Sequence, residues 1–157
     1  MQNGLATMPA LRSPLLASLL LASAAGCSSA GDQEPRQRLP VATDPTFVLY
    51  ISNQSFELDP VDIEARLDGE IAVQGDFLVE GQHSWHTFDF DLAPGSHELR
   101  AVTQTGAVDH VWTFEIPEGA RYGVLDFWYY GEDSSSEPYG PAFSFDLFDE
   151  PPIFAAR

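Results

Sequence analysis

The fold is decided by the stretch Val61-Asp62-Ile63-Glu64-Ala65-Arg66-Leu67-Asp68-Gly69. Apolar side chains alternate with charged ones over the first seven positions, which is the two-residue period of a half-buried β-strand. The pair Asp68-Gly69 that follows is a strong signal for a two-residue hairpin turn, and we expect residues 70–73 to form the return strand. The stretch therefore predicts an antiparallel hairpin with one face in a core.

Alternating runs of the same kind continue on both sides of this hairpin, and turn residues separate them. Gly75 is expected to end the return strand, Pro94-Gly95 and Pro117-Glu118-Gly119 mark later turns, and no segment keeps the 3.6-residue apolar period of a helix. This pattern predicts a single all-β domain over residues 45–154, an antiparallel, immunoglobulin-like β-sandwich of about eight strands. The predicted strands are 46–51, 61–67, 70–73, 76–80, 84–92, 97–103, 107–116, 121–130 and 142–148.

The turn residues in the middle of the chain resemble those of a known group of protein modules. Leu67-Asp68-Gly69 and the run Leu92-Ala93-Pro94-Gly95-Ser96-His97-Glu98-Leu99 resemble the PEGA-like and immunoglobulin-like modules of bacterial envelope proteins. The resemblance spans roughly residues 63–106. It implies a small β-sandwich of a kind that usually binds or spaces other molecules and seldom catalyses a reaction.

The N-terminal part of the chain has the pattern of an export signal. Arg12 precedes an apolar run that is shorter than a membrane-spanning helix, and small residues follow that run. Leu21-Ala22-Ser23-Ala24-Ala25-Gly26-Cys27 resembles the lipobox of bacterial lipoproteins, which implies cleavage before Cys27 and attachment of acyl chains to it. We therefore expect a signal peptide at 1–26 and a flexible, polar, proline-spaced tether at 27–44. Ordinary secretory cleavage after Ala24, leaving Cys27 as a free thiol, is the alternative.

Composition limits the partners. The 157-residue chain has 24 acidic and 7 basic residues, a formal net charge of −17, and a single cysteine. So negative a chain repels nucleic acids and anionic lipid headgroups, which are therefore not expected as partners. A single cysteine cannot form a disulfide within the chain. The resemblance to lipoproteins implies an exported protein in the periplasm or at the outer membrane, the latter favoured because Ser28 follows the lipidated position, with its lipid as the membrane contact.

Aromatic residues beside acids are the candidate ligand-binding set. Residues two apart on a strand share a face, so we expect Trp85, Asp89 and Asp91 to lie together, with Trp128 and Tyr130 extending the surface. Sugars bind to such a pairing: the sugar ring stacks on the indole, and the sugar hydroxyls donate hydrogen bonds to the carboxylates. Packing of Trp85 against a neighbouring strand is the alternative.

Metal and catalytic patterns are weak. Asp89 with Asp91, or the acids around Glu132, offer oxygen ligands for calcium, but no glycine-punctuated Asp-x-Asp-x-Asp loop is present, and we expect no metal and no cofactor. Ser84 lies near two histidines without a nucleophile-elbow sequence, so we expect no enzyme. The sequence thus predicts a non-catalytic, membrane-anchored envelope lipoprotein that acts as a protein-interaction or structural module. A carbohydrate- or peptidoglycan-binding module is the alternative.

Overall fold

The computed structural model describes residues 33–55, 57–80, 84–132 and 139–154. The expected signal peptide and Cys27 lie outside these residues. Within them no helix is long and apolar enough to cross a membrane. The described residues form strands β1 (Arg36–Gln37), β2 (Phe47–Asn53), β3 (Val61–Leu67), β4 (Glu70–Phe77), β5 (His86–Phe90), β6 (Gly95–Thr103), β7 (Val108–Ile116), β8 (Arg121–Tyr130) and β9 (Tyr139–Phe148).

The strands form two packed sheets, which confirms the predicted all-β sandwich. One sheet has the order β1-β4-β3-β6-β7 and the other the order β5-β2-β8-β9. Their inner faces enclose one core, in which Phe47, Leu49, Ile63, Leu125 and Phe127 are at most 1% exposed. Truncating a core phenylalanine to alanine costs about 3–5 kcal/mol of unfolding free energy, so a few such residues determine whether the domain folds.

The hairpin at β3 and β4 forms as the sequence predicts. Val61, Ile63, Ala65 and Leu67 are buried, and the charged residues between them lie on the other face. Asp68 and Gly69 have φ angles of 50° and 86°, the left-handed backbone that a two-residue hairpin turn requires. A bulge in the ladder after Ala65 separates the turn from the regular part of the hairpin.

Gly75 does not end a strand, and in this respect the sequence-based expectation is wrong. β4 runs through it to Phe77, so the predicted strand at 76–80 is the second half of β4. A Cβ atom on Gly75 would lie 2.5 Å from the Cα of Pro35. Glycine is therefore required because a neighbouring backbone passes very close, one of the two usual reasons for glycine inside a strand.

One pair of neighbouring strands is parallel, where a purely antiparallel sandwich was predicted. β2 pairs with β8 in parallel, with Phe47 opposite Arg121 and Asn53 opposite Phe127, and the other pairs are antiparallel. Antiparallel neighbours follow from short hairpins, but β2 and β8 are separated in the chain by β3 to β7, four of which lie in the opposite sheet. No local turn therefore fixes their relative direction.

The second half of the expected tether is part of the sandwich. β1 pairs with the edge of β4, and the Asp76 N–H donates to the carbonyl of Gln33 at 2.7 Å. The Gln37 amide donates to the carbonyl of Asp89 at 2.8 Å and accepts from the N–H of the same residue at 3.2 Å, which joins β1 to the edge of β5. Exposed strand edges need partners, and this segment supplies them on one side of the domain.

Candidate functional site

The outer side of the four-stranded sheet carries an unusual number of aromatic rings. Tyr50 lies between the buried Leu49 and Ile51 and so points away from the core, and the even-numbered residues of β8 point the same way. Register places the side chains of β5 and β9 beside them. We call this surface the aromatic face; its rings belong to Tyr50, Trp85, Tyr122, Trp128, Tyr130 and Phe148.

A buried carboxylate lies within the aromatic face. Asp126 is only 8% exposed, although it is on the side of β8 that faces away from the core. Its Oδ1 accepts a hydrogen bond from the Ser52 hydroxyl at 2.5 Å and another from the indole N–H of Trp85 at 2.8 Å. Gln54 donates in turn to the Ser52 oxygen at 2.8 Å. Polar side chains from β2, β8 and the residue before β5 are thereby linked into one network.

Burial raises the pKa of Asp126 above its usual range. The hydrogen bonds from Ser52 and Trp85 stabilise the carboxylate and oppose this shift, while the nearby Asp146 carboxylate adds to it. Desolvation is the dominant cause, as expected for an acid with so little contact with water.

The C-terminal segment, residues 149–154, crosses the aromatic face. It leaves β9 at Phe148, which is opposite Tyr122, and Asp149 forms an ion pair with Arg121 at the start of β8. At its far end the Phe154 ring is stacked on Trp85, with ring centroids 4.0 Å apart and an interplanar angle of 16°. The Tyr50 ring meets the same phenylalanine edge-on at 5.1 Å. The segment therefore spans the sheet from the β9 edge to the β5 edge.

The other end of the aromatic face is more open. The indole N–H of Trp128 donates to the Ser144 hydroxyl on β9 at 2.9 Å, and Trp128 and Tyr130 pack edge to face at 6.2 Å. Both rings are half-buried, and at the opposite end of β8 the Phe148 ring, beside Tyr122, is 41% exposed. These rings are held in place by neighbours while keeping contact with solvent.

Four of the predicted ligand-binding residues lie on this one surface. Trp85, Asp89, Trp128 and Tyr130 share the aromatic face, and Asp91 follows the end of β5, exposed to solvent. Trp85 is not the open ring that the sugar hypothesis expects, because Phe154 covers it and its N–H is bonded to Asp126. Asp89 is half-buried, and its backbone is bonded to Gln37. Cys27 lies outside the described residues.

Two residues of the site were missed by the sequence analysis. Asp126 stands in a run that is apolar on both sides, and a charge in such a run is a signal of a hydrogen-bonded buried group. Phe154 follows Pro151-Pro152, where the sheet was expected to end, and only its aromatic character in a short tail could have indicated docking.

Shallow clefts also lie along the N-terminal segment. One of about 530 Å³ is lined by Pro35, Pro60, Asp76, Leu78 and His86, among others, and another of about 420 Å³ lies over the outer face of β3 and β4. In the part of the chain that the structure describes, no group of three or more His, Cys, Asp or Glu side chains could hold a metal ion.

Comparisons with protein-family models, with characterised proteins and with solved structures found no significant match to this chain.

Proposed function

We propose that this protein is a non-catalytic, lipid-anchored module of the bacterial cell envelope that binds a protein partner through the aromatic face. The observation that carries the proposal is the density of half-buried rings on the outer side of one sheet, together with a segment of the chain already bound there. Tyrosine, tryptophan and phenylalanine are enriched at the centres of protein interfaces, where they supply contact area at low entropic cost.

The size of the face favours a transient complex. Four strands at about 4.8 Å spacing and strands of roughly 25 Å give a surface of roughly 480 Å² in projection. Stable interfaces bury about 800 Å² on each partner, and smaller ones are typical of short-lived contacts. We therefore expect a weak complex, unless the partner also contacts the sides of the domain.

Charge indicates the chemistry of the partner. Asp89, Asp126 and Asp146 are interspersed with the rings, and the whole chain carries a formal net charge of −17. Such a surface attracts and orients a partner with basic groups and repels an acidic one. Association is then expected to weaken as salt screens these charges.

The anchor holds the domain near its membrane. Gln33 is already bonded to Asp76, so only residues 28–32 separate Cys27 from the sandwich. At roughly 3.5 Å per extended residue this chain reaches about 20 Å at most. Two or three acyl chains, at about 0.8 kcal/mol for each buried methylene, would keep the protein at the surface almost permanently. The partner is accordingly sought at the periplasmic or outer-membrane surface.

A pull-down from envelope extracts, with the purified protein immobilised, tests this function. Variants Trp128→Ala and Phe148→Ala alter the aromatic face near its two ends, and Val111→Ala changes a residue that is 47% exposed on the opposite sheet. We expect one protein to be retained by the wild type and by Val111→Ala, and to be lost from both aromatic-face variants. Equal retention by all variants contradicts the proposal, and so does turnover of any substrate by the purified protein.

A carbohydrate-binding module is the second candidate, favoured by the combination of Trp85 with Asp89 on one surface. Sugars bind where an open ring face lies beside hydrogen-bonding groups, so this function requires Phe154 to leave the face of Trp85 that it covers. A glycan or peptidoglycan array, probed with the wild type and with Trp85→Ala, tests it. Binding that depends on Trp85 supports this function, and a blank array rejects it.

A further inference from the structure

In the part of the chain that the structure describes, the C-terminal segment contacts the aromatic face at its two ends. Phe154 packs on Trp85 and Tyr50, and Asp149 pairs with Arg121 at the surface. Among the described residues, the segment's backbone hydrogen bond runs from the Phe154 N–H to the carbonyl of Pro152, not to a strand. Ile153 is 96% exposed, so the residue before the docked ring contributes little packing.

The site that holds Phe154 is nevertheless well formed. Trp85 provides a flat wall whose orientation is fixed by its hydrogen bond to Asp126, and Tyr50 provides a second wall at a steep angle. The ring between them lies nearly parallel to the indole, with the ring centroids 4.0 Å apart. A pocket that is held by the sheet and filled by a loosely attached tail is suited to exchange.

The sequence of the C-terminal segment also indicates what kind of peptide fits the site formed by Trp85 and Tyr50. Pro151 and Pro152 have no N–H to donate and hold the backbone extended, which lowers the entropy lost on docking. Proline-containing extended segments commonly bind to grooves lined by aromatic side chains. The chemistry of the site therefore matches an extended, proline-containing peptide with one aromatic side chain.

We propose that the C-terminal segment is a displaceable internal occupant, and that Phe154 takes the place of an aromatic side chain from an extended, proline-containing segment of the partner. This inference rests on the proposed function and adds its regulation: the site is closed until a partner segment displaces the tail. Tethering gives the tail an effective concentration of about a millimolar, so a tail whose own dissociation constant for the site is about 100 µM lowers the apparent affinity for a competing peptide by about tenfold.

A peptide added in trans tests the inference without knowledge of the partner. The probe is a labelled synthetic peptide with the sequence of residues 149–157, and the proteins are the wild type, Phe154→Ala, Phe154→Tyr and Ile153→Ala. We expect Phe154→Ala to bind the peptide about tenfold more tightly than the wild type. Ile153→Ala and Phe154→Tyr should behave as the wild type does, because their own tails still fill the site.

Specificity and folding are controlled in the same experiment. A peptide with alanine at the position of Phe154 should not bind, and thermal unfolding of each variant shows that it is folded. A folded Phe154→Ala protein that binds the peptide no better than the wild type overturns the inference. So does displacement of the tail by soluble oligosaccharides in place of the peptide, which would assign the pocket to a sugar. Peptide binding with no partner retained from envelope extracts would reject the proposed function alone, so the two failures are distinguishable.

Discussion

The indole N–H of Trp85 donates to the Oδ1 of Asp126 at 2.8 Å, although Trp85 immediately precedes β5 and Asp126 lies on β8, and β2 separates these two strands. The indole must therefore lie across the sheet over Ser52, which also donates to Asp126. One side of the ring is turned toward the strands and the other toward Phe154. The buried acid thus positions the wall on which the C-terminal segment docks.

Substitutions of Asp126 separate its charge from its hydrogen bonds. Asp126→Ala leaves the Trp85 N–H and the Ser52 hydroxyl without their acceptor and should lower the unfolding free energy by about 1–3 kcal/mol. Asp126→Asn keeps an acceptor oxygen and removes a desolvated charge, so its stability at pH 7 should equal or exceed that of the wild type. Urea unfolding measures both. An asparagine variant as unstable as the alanine variant would show that the charge itself is stabilising.

The raised pKa of Asp126 also predicts a pH dependence. Because the folded state holds its proton more tightly than the unfolded state does, this residue's contribution to stability falls as pH rises from about 4 toward the folded pKa, and is constant above it. The unfolding free energy of the wild type, minus that of Asp126→Asn, should therefore decrease as pH rises over this range. A difference that is independent of pH between 4 and 8 would contradict the burial argument.

His97 and Asp68 give a pH effect in another window. Burial lowers the pKa of His97, but hydrogen bonds to the Ala93 carbonyl and the Asp68 carboxylate outweigh it and leave that pKa raised. The resulting stability is fully present below about pH 6.5 and is lost as pH rises through the folded pKa. The pair is at the surface, so we expect less than about 1 kcal/mol. His97→Gln should remove this pH dependence of the unfolding free energy, as measured by urea unfolding from pH 5.5 to 8.5. If the variant keeps the pH dependence of the wild type, other residues cause it.

Gly75→Ala should detach the N-terminal segment. The added Cβ would meet the Cα of Pro35 at 2.5 Å and the carbonyl oxygen of Glu34 at 2.8 Å, and backbone atoms cannot move away as a flexible side chain can. We expect the amides of Arg38 and Asp76, which are bonded between this segment and β4, to exchange hydrogen more than about tenfold faster. Gly140→Ala is the matched control, because nothing lies within 4 Å of its added Cβ. Unchanged exchange in Gly75→Ala would mean that the close approach is not required.

The lipid anchor is tested at Cys27. If this cysteine is acylated, the wild-type protein should partition with membranes and into detergent, whereas Cys27→Ser should be soluble after export. Ser28→Ala serves as the control, and it should remain with the membrane. A wild-type protein with a thiol that reacts with alkylating reagents would instead support ordinary secretory cleavage.

Alternation and turn chemistry predicted most of the fold. The β3 pattern and the Asp68-Gly69 turn are where the sequence places them, because both are determined by residues within a few positions of each other. The features that were missed depend on distant parts of the chain. Only the structure shows Pro35 beside Gly75, and no local turn fixes the direction of β2 relative to β8.

In the candidate site, too, local features could be predicted from the sequence and contacts between distant segments could not. The shared surface of Trp85 and Asp89 follows from the two-residue period of one strand. The bond from Trp85 to Asp126 and the docking of Phe154 join segments that are far apart in the sequence. No local pattern reports such contacts.

Site-specific photocrosslinking in intact cells tests most directly the claim that the aromatic face is the binding surface. A benzophenone amino acid at position 148 places the probe at an exposed position of this face, and the same probe at position 111 places it on the opposite sheet. The account predicts a discrete adduct with one envelope protein from position 148 and none from position 111. Adducts from position 111 alone, or of equal strength from both positions, would contradict it.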